Sequence, residues 1–180
     1  MSKLTIKDIL AFEVLDSRGN PTVAAEVILS DNSSSIAFVP SGASTGKHEA
    51  LELRDQDKSR FNGKGVLKAV NFINKQIKES VIGLDPLDQK TLDLNLCKAD
   101  GTDSKEVFGA NSILAVSISN LRASAISKSV PLYQHIHSLY EEVSKVNRKP
   151  ILPAPMMNIL NGGVHADNSI DFQEFMIQPL

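Results

Sequence analysis

The chain contains a single cysteine, Cys97, so no internal disulfide can form and the composition suits a reducing compartment. Cys97 reads as a small buried apolar residue, not a nucleophile, and receives no chemical role. A surplus of either charge is also missing. Nineteen Lys and Arg side chains face 21 Asp and Glu, a net charge of −2, so no summed field favours nucleic acid or an anionic membrane surface and any anion must be held locally. Long apolar runs are absent as well. Ile9-Leu10-Ala11-Phe12 is broken by Glu13, no basic segment leads into it, and nothing approaches the ~20 residues of a membrane span. A cytoplasmic protein is expected. Internal repeats and low-complexity segments are missing, which excludes a solenoid and a compositionally disordered tail.

What is present is 180 residues, 42% of them hydrophobic, enough for one core and part of a second. Leu4, Ile6, Leu10, Phe12 and Val14 recur largely at spacings of two, Thr22 to Leu29 is rich in Val, Ile and Ala, and Ser34 to Val39 follows a turn at 30–33. These read as a three-stranded antiparallel meander. Asp16 to Pro21, the first connection, carries ordinary turn chemistry. Val66, Ala69, Val70, Ile73 and Ile77 form a helical stripe over 66–81 with Gly83 as its stop. Asp85-Pro86 predicts a second helix from Pro86 toward Cys97, ending at Ala99-Asp100-Gly101, with Leu87, Leu94 and Cys97 facing inward. A third helix, over 110–128, is nearly free of charge and should be the most buried. Pro131 opens a fourth through Tyr140; its His135 and His137 point to different faces, a poor arrangement for one metal, and read as ordinary helix residues. After the basic connector Lys145 to Lys149, Ile151 to Leu160 and Phe172 to Ile177 are apolar on both faces, as buried strands of a barrel or parallel sheet are.

Ser41-Gly42-Ala43-Ser44-Thr45-Gly46-Lys47-His48-Glu49 is the stretch with the strongest chemical suggestion. Two glycines allow close backbone approach to a ligand, and the hydroxyls can donate to phosphate or ligate a hard cation. A nucleotide P-loop is rejected, because the glycines stand one residue too close and His48 occupies the place of the metal-binding hydroxyl. The plain alternative is an exposed Ser/Gly turn. Glu174 is a second candidate: a carboxylate inside an apolar strand must face a polar cavity or be paired. Alternation sends Gln173 to the opposite side of that strand unless a bulge or strand end re-aims it. His165 follows Gly162-Gly163, which let the loop fold over a ligand, although a lone loop histidine is commonly structural.

Taken together, Asp16-Ser17-Arg18-Gly19-Asn20-Pro21, the Ser41 loop, Asn158 to Asn168 and Gln173-Glu174-Phe175-Met176 resemble the enolase family, the phosphopyruvate hydratases. Gly63-Lys64-Gly65-Val66, Gly109 to Leu114 and Val130-Pro131-Leu132-Tyr133 fall in the family's order and spacing, so the resemblance runs the whole length of the chain. It implies an α+β capping domain, a three-stranded antiparallel meander plus helices over 1–140, followed over 150–180 by the first two strands of an incomplete enolase-type TIM barrel. The implied reaction is the reversible dehydration of 2-phosphoglycerate to phosphoenolpyruvate in glycolysis. By the same resemblance, His165 and Glu174 match catalytic positions around the substrate's leaving hydroxyl and phosphate, and Gln173 matches a substrate contact. Ser44 would ligate the second Mg²⁺ when its loop closes, and Arg18 would lie near the subunit contact of a homodimer. Enolases are more than twice this length. The base lysine, the acid glutamate, the metal carboxylates and the phosphate-binding arginine have no counterpart here, and the 180-residue chain is expected to be inactive alone. Two alternatives stand beside this reading: a non-catalytic oligomerisation or binding module of enolase-like fold, and another enolase-superfamily member with a different acid substrate.

Overall fold

Strand β2 (Pro21–Leu29) is the centre of the amino-terminal sheet, and its small and β-branched side chains are buried on both faces along most of its length. It pairs antiparallel with β1 (Ile6–Leu15) on one side and β3 (Ser34–Phe38) on the other, in the order β1-β2-β3 of a meander. The computed structural model describes residues 3–40, 42 and 46–179.

The register of β1 departs from simple alternation. Ile6 lies opposite Leu29, but Asp8 lies opposite Ile28, so Lys7 is an extra residue in a β-bulge. Lys7 Nζ donates to Asn32 Oδ1 at 3.1 Å and Asp8 pairs with Lys78, which leaves two successive residues outside the core. Beyond the bulge the parity is reversed: Ile9 and Ala11 are buried, whereas Leu10 and Phe12 lie outside, Phe12 at 47% exposure. The period-two series through Leu4, Ile6, Leu10 and Phe12 therefore marks a strand but does not mark one face.

Helix α1 runs over Leu67–Phe72, widens into a π-helical stretch over Ile73–Ile77, and resumes over Lys78–Val81. Ala69, Ile73, Ile77 and Val81 are its buried stripe, as the sequence spacing predicts. Its first turn is capped from a distance, because Asp55 accepts from the backbone N–H groups of Leu67 and Lys68 at 2.9 and 2.8 Å. Glu13 accepts from Val66 N–H at 2.7 Å and from Arg60 at 2.5 Å, tying the helix start to β1. Orphan N–H groups at a helix start need such acceptors.

Helix α2 (Gln89–Asp100) begins three residues later than Pro86. Asp85 to Asp88 is a turn instead, and the Pro86 carbonyl is already taken by Asn120 Nδ2 at 2.9 Å and Ser124 Oγ at 2.7 Å. Asp88 is the N-cap, accepting from Thr91 N–H at 3.0 Å, and Gly101 closes the helix with φ +76°. The inward stripe is Leu92, Leu96 and Asp100. Leu87, Leu94 and Cys97 face outward, contrary to the sequence expectation, with Leu94 60% exposed. Two apolar stripes compete on this helix, and the one at i, i+4, i+8 is the one that packs.

Helix α3 (Ala110–Ser127) lies against β2 and β3 and carries the largest buried set, including Ala115, Val116 and Ala123. Small polar residues allow its close approach to the sheet. Ser119 Oγ accepts from Val27 N–H at 3.2 Å and sits 2.8 Å from the Ala25 carbonyl and 2.6 Å from that of Ser35. Helix α4 (Leu132–Ser144) follows Pro131. His135 on this helix is 2% exposed, and neither ring nitrogen has a hydrogen-bond partner.

The chain divides into two compact units, Met1–Tyr140 and Glu141–Leu180. In the second, β4 (Met157–Asn161) and β5 (Glu174–Ile177) form an antiparallel pair with Met157 opposite Ile177 and Asn161 opposite Glu174. Both strands are exposed throughout. Continuous apolarity predicts buried strands of a barrel or a parallel sheet; among the described residues the two strands form an antiparallel ribbon whose residues are exposed, so the expected burial is not seen.

Candidate active site

The second unit brings three of the predicted site residues together. After β4, Gly162 and the short 3₁₀ turn Gly163–His165 double back against the segment that leads into β5. Gly162 N–H donates to the Gln173 carbonyl at 3.0 Å and Gly163 N–H to the Ile170 carbonyl at 2.7 Å. A Cβ on Gly162 would stand 2.5 Å from the Phe172 carbonyl oxygen and 2.6 Å from that of Ile170, so only glycine permits this approach. Gly163 adopts φ +56°. The paired glycines serve close backbone contact here, whereas the sequence suggested loop flexibility.

That contact delivers His165 to the start of β5. The Gln173 side-chain nitrogen lies 2.8 Å from His165 Nε2, and His165 Nδ1 lies 3.7 Å from Glu174 Oε1. Alternation along a strand would separate Gln173 from Glu174, but β5 begins at Glu174 and Gln173 occupies a bend before it. The strand end re-aims the glutamine, and both neighbours reach one imidazole. Side-chain exposure of 48% for His165 and 34% for Glu174 leaves the group open to a ligand.

Three asparagines, Asn158, Asn161 and Asn168, hold this loop. Asn168 Nδ2 donates to the Asn161 carbonyl at 2.9 Å, Asn168 Oδ1 accepts from Ile170 N–H at 3.0 Å, and the Asn158 and Asn161 side chains bond each other. The signal was available, since asparagine side chains in loops commonly bond nearby backbone.

Ser44 lies outside the described residues. The described end of its loop is exposed, and Gly46 N–H donates to Glu49 Oε2 at 2.7 Å. Arg18 belongs to the turn after β1, where Asp16 Oδ1 accepts from the backbone N–H groups of Arg18 and Asn20, both at 2.8 Å, and Arg18 Nε lies 3.7 Å from Asp16 Oδ2. Among the described residues no three His, Cys, Asp or Glu side chains converge on a metal-sized space. The described residues therefore do not by themselves make a magnesium site: Mg²⁺ takes near-octahedral oxygen ligands, and the His165 group offers one carboxylate. No helix among the described residues is long and apolar enough to cross a membrane.

The family's sequence model for the enolase N-terminal domain matches residues 6–136. The chain belongs to the enolase family. The model for the enolase C-terminal TIM barrel domain matches residues 149–180, so the chain carries the N-terminal domain and the start of the barrel domain. An enolase from Ehrlichia canis is 54% identical over 179 residues, 99% of this chain. The chain spans 41% of that enolase's length.

Proposed function

We propose that this chain supplies the lid loop and one part of the substrate face of an enolase, the lyase that interconverts 2-phosphoglycerate and phosphoenolpyruvate in glycolysis, and that it is inactive by itself. The observation that carries the reading is the meeting of His165, Gln173 and Glu174 around one imidazole, in a chain of the enolase family. Residues 1–140 act as the capping domain and 150–180 as the first two barrel strands. The fully exposed apolar ribbon of β4 and β5 is consistent with strands that need further barrel to cover them.

Dehydration of 2-phosphoglycerate removes the proton α to the carboxylate and then expels hydroxide from the neighbouring carbon. In this proposal Glu174 and His165 act at the leaving hydroxyl and the phosphate, and Gln173 contacts the substrate. A carboxylate and an imidazole beside the departing hydroxide can orient it through hydrogen bonds, and the protonated acid that makes it water is one of the groups with no counterpart here. Removing so weak an acid's proton also needs an oriented base and stabilisation of the dianion that develops. Magnesium supplies such stabilisation in enolase-type sites, and Ser44 is the residue of this chain proposed to reach it. The ion's carboxylate ligands must come from outside the described residues. Closing a (β/α)₈ barrel takes roughly 250 residues, far more than follow residue 150 here. Homodimer formation through the Arg18 turn and a cytoplasmic location belong to the same proposal.

One observation favours a second reading, a non-catalytic module. Leu10, Phe12, Ile36 and Phe38 leave an apolar outer face on the first sheet, which an interaction domain could use. Phosphoenolpyruvate formation separates the two. With excess magnesium the 180-residue chain should give none, and the chain extended through a complete enolase barrel should turn over and lose activity on Ser44→Ala. Comparable turnover by the short chain would place the base and metal sites within it, and an inactive extended chain would favour the module.

A further inference from the structure

We infer that Gln173 is a positioning residue for His165: its side-chain amide donates to Nε2 and thereby holds the imidazole proton on Nδ1, the nitrogen that faces Glu174. The inference takes its functional meaning from the enolase reading above, but its geometry and its test stand apart from that reading. An amide nitrogen has two donors and no acceptor, so a histidine nitrogen 2.8 Å from it must offer a lone pair. A neutral imidazole has one proton, and it is left on Nδ1. Nδ1 lies 3.7 Å from Glu174 Oε1, an oxygen that can only accept when ionised.

The backbone makes this arrangement specific to the loop. Gly162 and Gly163 lock the turn carrying His165 onto residues 170–173, and the bend before β5 turns Gln173 toward the ring. An exposed imidazole in water favours the opposite tautomer, with its proton on Nε2. The hydrogen bond a histidine makes at one nitrogen decides the protonation of the other, so Gln173 reverses that preference. An anionic substrate group approaching Nε2 meets a lone pair until Gln173 releases it, while the ring's proton stays on Nδ1. Glu174 is the side chain that benefits: it keeps a donor beside it without a permanent positive charge.

The test is the ring-nitrogen NMR spectrum of the ¹⁵N-histidine-labelled 180-residue chain at about pH 8, where an ordinary imidazole is neutral. The chain has four histidines, and the His165 signals are those that vanish in His165→Phe. The expected pattern is a pyrrole-type Nδ1 and a pyridine-type Nε2. Gln173→Glu replaces a donor by a side chain that only accepts and should move the proton to Nε2. Gln173→Leu should return the ring to the tautomer balance of the urea-unfolded chain. A wild-type His165 already showing that balance, or a pattern unchanged in Gln173→Glu, overturns the inference. Neither result bears on turnover by the extended chain, which alone tests the enolase reading.

Discussion

The two units use similar side chains to opposite ends. In the first, Ile9, Val23, Val27, Ile73 and Leu92 are withdrawn from water between the sheet and helices α1 to α3. In the second, Ile159, Leu160, Phe175 and Met176 are as apolar and stay exposed, in a ribbon of two strands that cannot bury both of its own faces. Apolarity along a strand states what the strand can bury. Whether it does so depends on the layer packed against it, and a lone hairpin is marginal in water.

The sharpest way to break this comparison is one truncation in each unit. Ile73→Ala should cost about 2–5 kcal/mol, the range for deleting a large buried side chain. Ile159→Ala, at a residue 62% exposed, should stay within about 0.5 kcal/mol. Urea unfolding of the 180-residue chain, followed by far-ultraviolet circular dichroism, measures both. Equal losses would mean that the ribbon is packed in solution.

Acid provides a second, smaller contrast, because only a packed interior can hide an ionisable ring. Burial, assisted by nearby Lys128, holds His135 below the usual histidine value of 6.5. The unfolded chain therefore takes up this proton first. The contribution of neutral His135 is complete above pH 6.5 and is lost as pH falls from there through the lower folded value. The carboxylates follow at lower pH. Burial opposes ionisation of Asp100, but hydrogen bonds from Phe108 N–H and from Thr102 outweigh it; Asp8, bonded to Lys78, is also lowered below 3.8. Their stabilisation is present above that value and disappears below it. Urea midpoints between pH 8 and 4 should fall in the wild type and run flatter in His135→Leu; parallel curves would remove His135 from the account.

Much of the first unit was legible because local signals and packing agree there. The turn residues, the α1 stripe of Ala69, Ile73 and Ile77, and the Gly101 stop all point to one answer. The errors have physical sources that lie beyond local pattern. The start of α2 depended on Asn120 and Ser124, more than thirty residues away, claiming the Pro86 carbonyl. The choice of Leu92 over Leu94 depended on which stripe the neighbouring helices would meet. In the candidate site the residue types were readable, but the placing of Gln173 and Glu174 on one ring was not, since it turns on β5 beginning one residue after Gln173.

The bulge at Lys7 also decides where the chain tolerates a change in length. Along β1 almost any single-residue deletion would turn one flank of the strand inside out, sending Ile9 and Ala11 to water or Leu10 and Phe12 into the core. Lys7 is the exception. Without it Ile6 still faces Leu29 and Asp8 still faces Ile28, so the shortened strand becomes the regular one. Its removal forfeits one exposed hydrogen bond to Asn32, about 1 kcal/mol or less, and thermal unfolding should separate this mild deletion from a severe one at Ala11. The amino-terminal strand thus has a built-in site for losing a codon in frame, three positions before the outward-facing Leu10.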